Sequence, residues 1–333
     1  MLGAFFAICS AATFGFNNAA MRRGVLRGTV FQALMVTVPI GVPLFLLAAL
    51  VTGQLGGLFG FGWAATGYLA AAGVLHFVWG RYWNYRSVVA MGANLSGSVQ
   101  QFSLVASLVF AMVLLGEQLT LLRLLGIALV VGGPFIMTSG LRRGTEDTAK
   151  DEEKGDGEAE SRKPPPFRPN LLAGFVAGLL GMVGYGLSPT LVRLGLAETG
   201  ASLAGGAISY IAATVALGLV VLLSGRLTHC LAIDRTAARW FTVSGVFVFF
   251  AQMFSYLALA IAPVTVVASI QRLSLVFRIA LSTLLNREYE VFNARVVVGM
   301  VVSLIGALAL TLSVDVVVDL LPLPRWALDW RWP

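Results

Sequence analysis

Residues 268–288, "ASIQRLSLVFRIALSTLLNRE", place Arg272 and Arg278 inside an apolar run long enough to cross a bilayer. An arginine near the centre of a membrane-spanning helix costs ~2.5–3.5 kcal/mol even on lenient insertion scales. Two of them therefore need a reason. A guanidinium that faces a hydrated interior forks onto a carboxylate, sulfonate or phosphate, and that is the chemistry this pair offers. The structural alternative is that Arg278, about two turns from the helix end, snorkels toward the headgroups or bonds carbonyls of a neighbouring helix. Arg272 lies nearer the midpoint and is expected to be the anion contact. At ~100° per residue, Gln271, Ser274 and Arg278 share one stripe, while Arg272 falls with Ser269 and Thr265 roughly 120° away. One face holds both arginines only if that whole side is wet or the helix is broken.

Other polar residues interrupt apolar surroundings. Asn94, Ser98 and Gln101 follow i, i+4, i+7 spacing, and Gln100 and Ser103 extend the stripe onto the adjoining face. A polar side chain in a helix bundle commonly just bonds a neighbour, worth ~0.6 kcal/mol on average. The adjacent pair Gln100 and Gln101, with Gln271, is expected to form hydrogen-bonding walls. Asn17 and Asn18 have a similar standing. His76, in "GVLHFVWGRYWNYR", titrates near neutrality when unperturbed and is a candidate for proton coupling, although a lone histidine also serves as a helix contact. Glu117 and Glu288 are the only carboxylates at the predicted spans and suit architecture at helix ends, so a bound anion is the natural counter-ion of Arg272. The Trp and Tyr residues of "WGRYWNYR" and "PRWALDWRWP" fit interfacial belts. There is no Gly-rich phosphate loop, no His/Cys metal spacing and no Ser-His-Asp set. No catalytic residue, cofactor or metal is expected, and the chain does not read as an enzyme.

The elements that must position these residues follow from composition. Of 333 residues, 58% are hydrophobic and 12% charged, more apolar side chain than a soluble domain of this size can hide. Runs of about 20 apolar residues, each ~30 Å as a helix, recur throughout. Spans are expected near 2–20, 29–52, 63–82, 88–115, 121–140, 171–192, 202–224, 239–260, 264–285 and 294–313. The net charge of +7 reflects loop arginines better than nucleic-acid binding. Cys9 and Cys230 match no disulfide or metal spacing. The first segment lacks a basic leader and reads as a retained span, not a signal peptide.

The chain repeats. Placing residue n over residue n+171 matches Gly3 with Gly174, Gly15 with Gly186, Arg22 with Arg193, Tyr85 with Tyr256 and Glu117 with Glu288. The same offset lays "GSVQQFSLVASLVFAMVLLGE" (97–117) over the opening stretch and pairs Gln100 with Gln271. It also pairs Arg272 with Gln101 and Arg278 with Ser107, so the positive charges break the symmetry. With five spans per copy, the second copy lies upside down relative to the first. The expected fold is an all-α membrane protein of ten transmembrane helices in two inverted five-helix repeats: residues 1–140 and 171–313, joined by a charged, Pro-rich linker at 141–170 and followed by a Trp-rich tail at 314–333. One set of loops holds Arg22, Arg23, Arg27, Arg81, Arg86, Arg226, Arg235, Arg239, Arg287 and Arg295, plus seven basic residues of the linker; the other holds Arg123, Arg193, Arg325 and Arg331. The first set is therefore expected to be cytoplasmic, with both termini outside.

These features resemble the drug/metabolite transporter superfamily, in particular its EamA-type members. "FGFNN" (14–18) stands where that family has a Trp-Gly-x-Asn pattern, with Phe14 in place of the Trp. "LVFAMVLLGEQLTLLRLLGIALVVGG" (108–133) looks like its Gly-Glu ending of span four and Gly-spaced span five. The second copy carries "NRE" (286–288) instead of the Gly-Glu pair. Where members commonly have a proline midway along the fourth span of each repeat, Ser103 and Ser274 stand here. The resemblance implies a central cavity lined by spans four and nine, with one, three, six and eight around it. It implies a secondary transporter working by alternating access, expected in a bacterial cytoplasmic membrane as a monomer or homodimer; Arg272, not the resemblance, points to a small organic anion or zwitterion, such as an amino acid, as its cargo. Its partners are then a small-molecule substrate and the lipid bilayer, with no nucleic acid. The alternatives are a broad exporter of amphipathic compounds, with structural arginines, and a non-transporting membrane enzyme or assembly subunit.

Overall fold

In hydrocarbon the backbone has no hydrogen-bond partner but itself, and long apolar segments accordingly form helices. The computed structural model describes residues 2–115, 125–133, 135–136, 169–262, 264–285 and 294–309. Five helices are long and apolar enough to cross a membrane: Leu2–Val25, Val30–Val51, Leu171–Leu196, Ser202–Leu223 and Arg235–Ile261. Each coincides, within a few residues at the ends, with a span expected from the sequence. Their outward faces carry exposed Leu47, Leu50, Val215, Leu219 and Leu222, an apolar surface suited to lipid.

Helix α1 (Leu2–Val25) packs along α11 (Arg235–Ile261) and against α13 (Ser274–Leu285). The second span divides into α2 (Val30–Thr37) and α3 (Gly41–Val51), with Pro39, which has no N–H to donate, at the break. Thr29 and Gln32 form a reciprocal capping box at the start of α2. Helices α8 (Leu171–Leu196) and α9 (Ser202–Leu223) follow the central segment, and Asn170 caps the first. A short helix α10 (Leu227–Leu231) leads to α11, whose N-terminus is capped by Asp234 through the Thr236 and Ala237 amides. Residues 125–133 form α7, and α14 covers Ala294–Ala309. The core is aromatic: Phe45, Phe77, Tyr210, Phe241, Phe249 and Tyr256 are buried in one cluster.

One boundary differs from the sequence reading. A loop was expected at residues 83–87, between spans 63–82 and 88–115. Instead α4 (Trp63–Gly73) runs through a π-helical turn at Val74–Gly80 into α5 (Arg81–Val99), and the chain turns at Gly92. Gly92 has φ 85° and ψ 166°, a conformation that side chains bearing a Cβ avoid. The "WGRYWNYR" segment is too polar to read as helix interior, yet one face of it, with Arg81, Asn84 and Tyr85, is carried inside the bundle. Arg81 and Tyr85 are consequently buried, and neither is a loop or interfacial residue. Arg22, also assigned to a loop, lies within α1 and is 2% exposed, with Nη1 donating to the Val88 carbonyl at 3.0 Å. Taking Arg22 and Arg81 out of the ten loop arginines leaves eight against four on the other side.

The segment expected as the fourth span is interrupted at Gln100 and Gln101, where α5 gives way to α6 (Phe102–Leu115). The ninth is interrupted at Arg272 and Leu273, between α12 (Val264–Gln271) and α13. At both places the α-helical ladder tightens to i→i−3 bonds, Ser103 to Gln100 at 3.0 Å and Leu275 to Arg272 at 3.1 Å. Glu117, Glu288, residues 141–168 of the linker and the tail at 314–333 lie outside the described residues.

Candidate functional site

The two interruptions open onto one internal cavity of about 130 Å³. Its walls come from α1, from the helix through His76 to Tyr85, from the α5–α6 break, and from α8, α11 and the α12–α13 break. Those are the spans that the resemblance implied. The break in the ninth span resolves the stripe problem: once the helix stops at Arg272, both Arg272 and Arg278 reach the same cavity. Gln271, Gln100, Asn17, Asn18 and His76 line it as well. Gln101 lines a smaller adjoining space with Gly97, Gln100, Arg272 and Arg278. Asn94 is fully buried but lines neither, so the i, i+4, i+7 stripe does not extend to it.

Much of the lining comes in pairs 171 residues apart. Phe14 and Tyr185, Asn17 and Ser188, Asn18 and Pro189, Arg81 and Gln252 all face it together. So do Asn84 and Ser255, Tyr85 and Tyr256, Gln100 and Gln271, and Ser103 and Ser274. Charge breaks this pairing: Arg81, Arg272 and Arg278 each correspond to a neutral residue. No Asp or Glu is among the described lining residues.

Arg272 is half-buried and all its described partners are neutral: the Ala268 carbonyl at 3.3 Å, Gln101 Oε1 at 3.4 Å and Ser103 Oγ at 3.1 Å. Arg278 is 3% exposed and donates to the Ala93 carbonyl at 3.1 Å and to Gln100 Oε1 at 2.8 Å. The carbonyl bond is the structural role anticipated for it; the glutamine bond ties it to the cavity wall. Gly97 leaves the room it needs, since a Cβ there would stand 2.5 Å from Arg278 Nη1. Gln271 donates to Ser10 Oγ at 3.0 Å and Ser255 Oγ at 2.9 Å, linking three helices. Asn17 Oδ1 accepts from Ser244 Oγ at 2.7 Å.

His76 sits in the π-helical turn, a distortion that recurs at functional positions. Gln252 Nε2 approaches its Nε2 at 2.8 Å and Ser188 Oγ lies 3.1 Å from its Nδ1. An amide nitrogen only donates, so in this arrangement His76 accepts at Nε2 and carries its proton on Nδ1. Arg81 was missed as a cavity residue because it sits in a polar segment. It donates to the Thr37 carbonyl at 3.3 Å, at the end of α2, and to Tyr210 Oη at 3.2 Å, with the Phe77 ring 5.0 Å from its Cζ. The offset of 171 holds the signal that was overlooked: it places Arg81 on Gln252 and Asn84 on Ser255, polar on polar. Asn18 Oδ1, Asn84 Oδ1, Tyr85 Oη and Gln100 Nε2 are buried without a hydrogen-bond partner among the described residues. Polar atoms in that condition are satisfied by water or solute.

The model of the EamA-like transporter family matches residues 1–139. This first segment is EamA-like. The match covers less than half of the chain; with the apolar helices it supports an integral membrane protein. One solved structure, titled "Crystal structure of protein", is similar at 16% identity with a TM-score of 0.54, covering 93% of this chain and 95% of that one. At that identity the likeness concerns the fold alone. No curated protein matches. The EamA-like segment contributes the lining residues from Phe14 to Ser103, among them Asn17, Asn18, His76, Arg81 and Gln100, and the remainder of the wall comes from residues 185–278.

Proposed function

We infer that this EamA-like protein is a secondary active transporter of the drug/metabolite type, moving a small organic anion or zwitterion, such as an amino acid, by alternating access. The observation that carries this reading is Arg272: a guanidinium at the interruption of a membrane helix, facing a cavity whose wall mixes polar and apolar side chains, with only neutral protein partners among the described residues. A charge so placed is stabilised by a visiting counter-ion. At about 10–15 Å³ per water-sized position, 130 Å³ of cavity accommodates a solute of about ten non-hydrogen atoms. Gln100, Gln101 and Gln271 are the hydrogen-bonding walls, Arg278, Asn17 and Asn18 complete the lining, Asn94 supports the helix behind it, and His76 is the candidate for proton coupling.

The ten-helix, two-repeat architecture belongs to this reading, with repeats at 1–140 and 171–313, a linker at 141–170 and a tail at 314–333. Paired lining residues at a constant offset support it, because two inverted copies around one site supply two near-equivalent conformations. The charge bias supports a cytoplasmic linker and external termini in a bacterial inner membrane. The partners are a small-molecule substrate and the bilayer, with the protein acting as monomer or homodimer and not as an enzyme.

Counterflow in liposomes, preceded by a thermal-shift screen of a metabolite library, tests the assignment. The transporter reading expects a preloaded organic solute to drive uptake of its labelled form. Purified protein that exchanges no solute of the panel, yet turns over lipid, contradicts it and favours a membrane enzyme.

A further inference from the structure

The smaller space between the two interrupted helices has its own chemistry. It measures about 20 Å³ and is lined by Gly97, Gln100, Gln101, Arg272, Ser274 and Arg278. At about 10–15 Å³ per water-sized position, it admits one or two non-hydrogen atoms, too few for a tetrahedral sulfate or phosphate. Guanidinium groups only donate, so the atoms that receive them are fixed as oxygens: Gln100 Oε1 from Arg278 and Gln101 Oε1 from Arg272. Both amide oxygens are thereby committed, and the amide N–H groups remain as donors. Gln100 Nε2 is buried with no hydrogen-bond partner among the described residues. A water placed there must also find acceptors for its two protons. An anion takes the donors of Arg272 and the Gln100 amide without needing an acceptor.

We propose that the paired helix breaks hold a compact monovalent anion, a halide or one oxygen of a carboxylate group, in this space beside the larger cavity. The site is shared by Arg272, so its occupant sets the charge that a solute in the larger cavity meets. This goes beyond the transport reading and does not depend on it, since binding requires no solute movement.

Thermal unfolding of the purified protein tests it, in gluconate buffer at constant ionic strength with rising chloride, bromide, acetate or sulfate. The expected result is a Tm that rises and saturates with the compact anions, while sulfate gives only the unsaturating rise of an excluded salt. Chloride and bromide acting ahead of acetate assigns a free halide; acetate acting ahead assigns a solute carboxylate. Arg272→Gln removes the saturable part. A response equal for all anions including sulfate, or unchanged in Arg272→Gln, overturns the proposal. Should Arg272→Gln fail to fold, bromide-soaked crystals of the wild type decide: an anomalous peak beside Arg272 and Gln100 is expected, and its absence overturns the site. No solute enters either assay, so failure here leaves the counterflow result standing.

Discussion

Arg272 donates through Nη1 to the side-chain oxygen of Gln101, 3.4 Å away, and the two residues stand 171 positions apart in the sequence. On the inverted-repeat reading, a residue that touches its own counterpart lies next to the axis relating the halves. That is where a site shared by two opposite-facing conformations belongs. The pair also shows how the symmetry is spent: one copy keeps glutamine, the other brings a charge.

Arg81 holds three helices together from inside the cavity wall. Arg81→Gln leaves the Thr37 carbonyl and the Tyr210 hydroxyl without their donor, a loss of about 1–3 kcal/mol for buried groups left unsatisfied. A lower Tm for the detergent-purified variant is the expected result. An unchanged Tm would show that the clamp carries no stability.

The turn at Gly92 is needed to send the chain back across the bundle. With φ at 85° and ψ at 166°, Gly92→Ala is expected to cost about 1–3 kcal/mol and to reduce the folded yield. Gly218→Ala is the control, because a Cβ at that helical position meets nothing within 4 Å. Equal Tm values for the two variants would contradict the role given to Gly92.

How much of this was legible beforehand depends on whether charge or hydropathy carried the message. The long apolar helices were readable because nothing but lipid suits Leu47 or Leu219. The interruption at Arg272 was visible as a conflict, two arginines that one helical face cannot share. The burial of Arg81, Tyr85 and Arg22 was not, because a polar run looks alike whether it faces water or a cavity; only the neighbours distinguish the two, those from α2 and α9 for Arg81 and the Val88 carbonyl of α5 for Arg22. Asn94 illustrates the reverse error. Helical periodicity placed it on the stripe with Gln101, but the helix is interrupted at Gln101, so the stripe does not continue into the cavity.

Asp234, at the start of α11 and outside the membrane-spanning helices, gives the fold a pH response. The amides of Ala237 and Thr236 at the start of α11 hold its carboxyl below the usual carboxylate range. A lowered folded pKa contributes stability that is present above the unfolded pKa and is lost as pH falls through the folded value. The Tm gap between wild type and Asp234→Ala is therefore expected to be widest near neutrality and to narrow under acid. A gap independent of pH would show that the carboxylate charge plays no part in the cap.

The central claim is that Arg272 receives the anionic group of the cargo. Its most direct test is counterflow of labelled amino acids, carboxylates and their uncharged amides in liposomes, with wild type and Arg272→Gln compared at matched amounts of folded protein. Exchange of an anionic or zwitterionic solute is predicted to fall about 10- to 150-fold in the variant, the equivalent of the ~1.5–3 kcal/mol of a hydrogen bond to a charged group. Undiminished exchange by Arg272→Gln, or exchange confined to the uncharged amides, would contradict it.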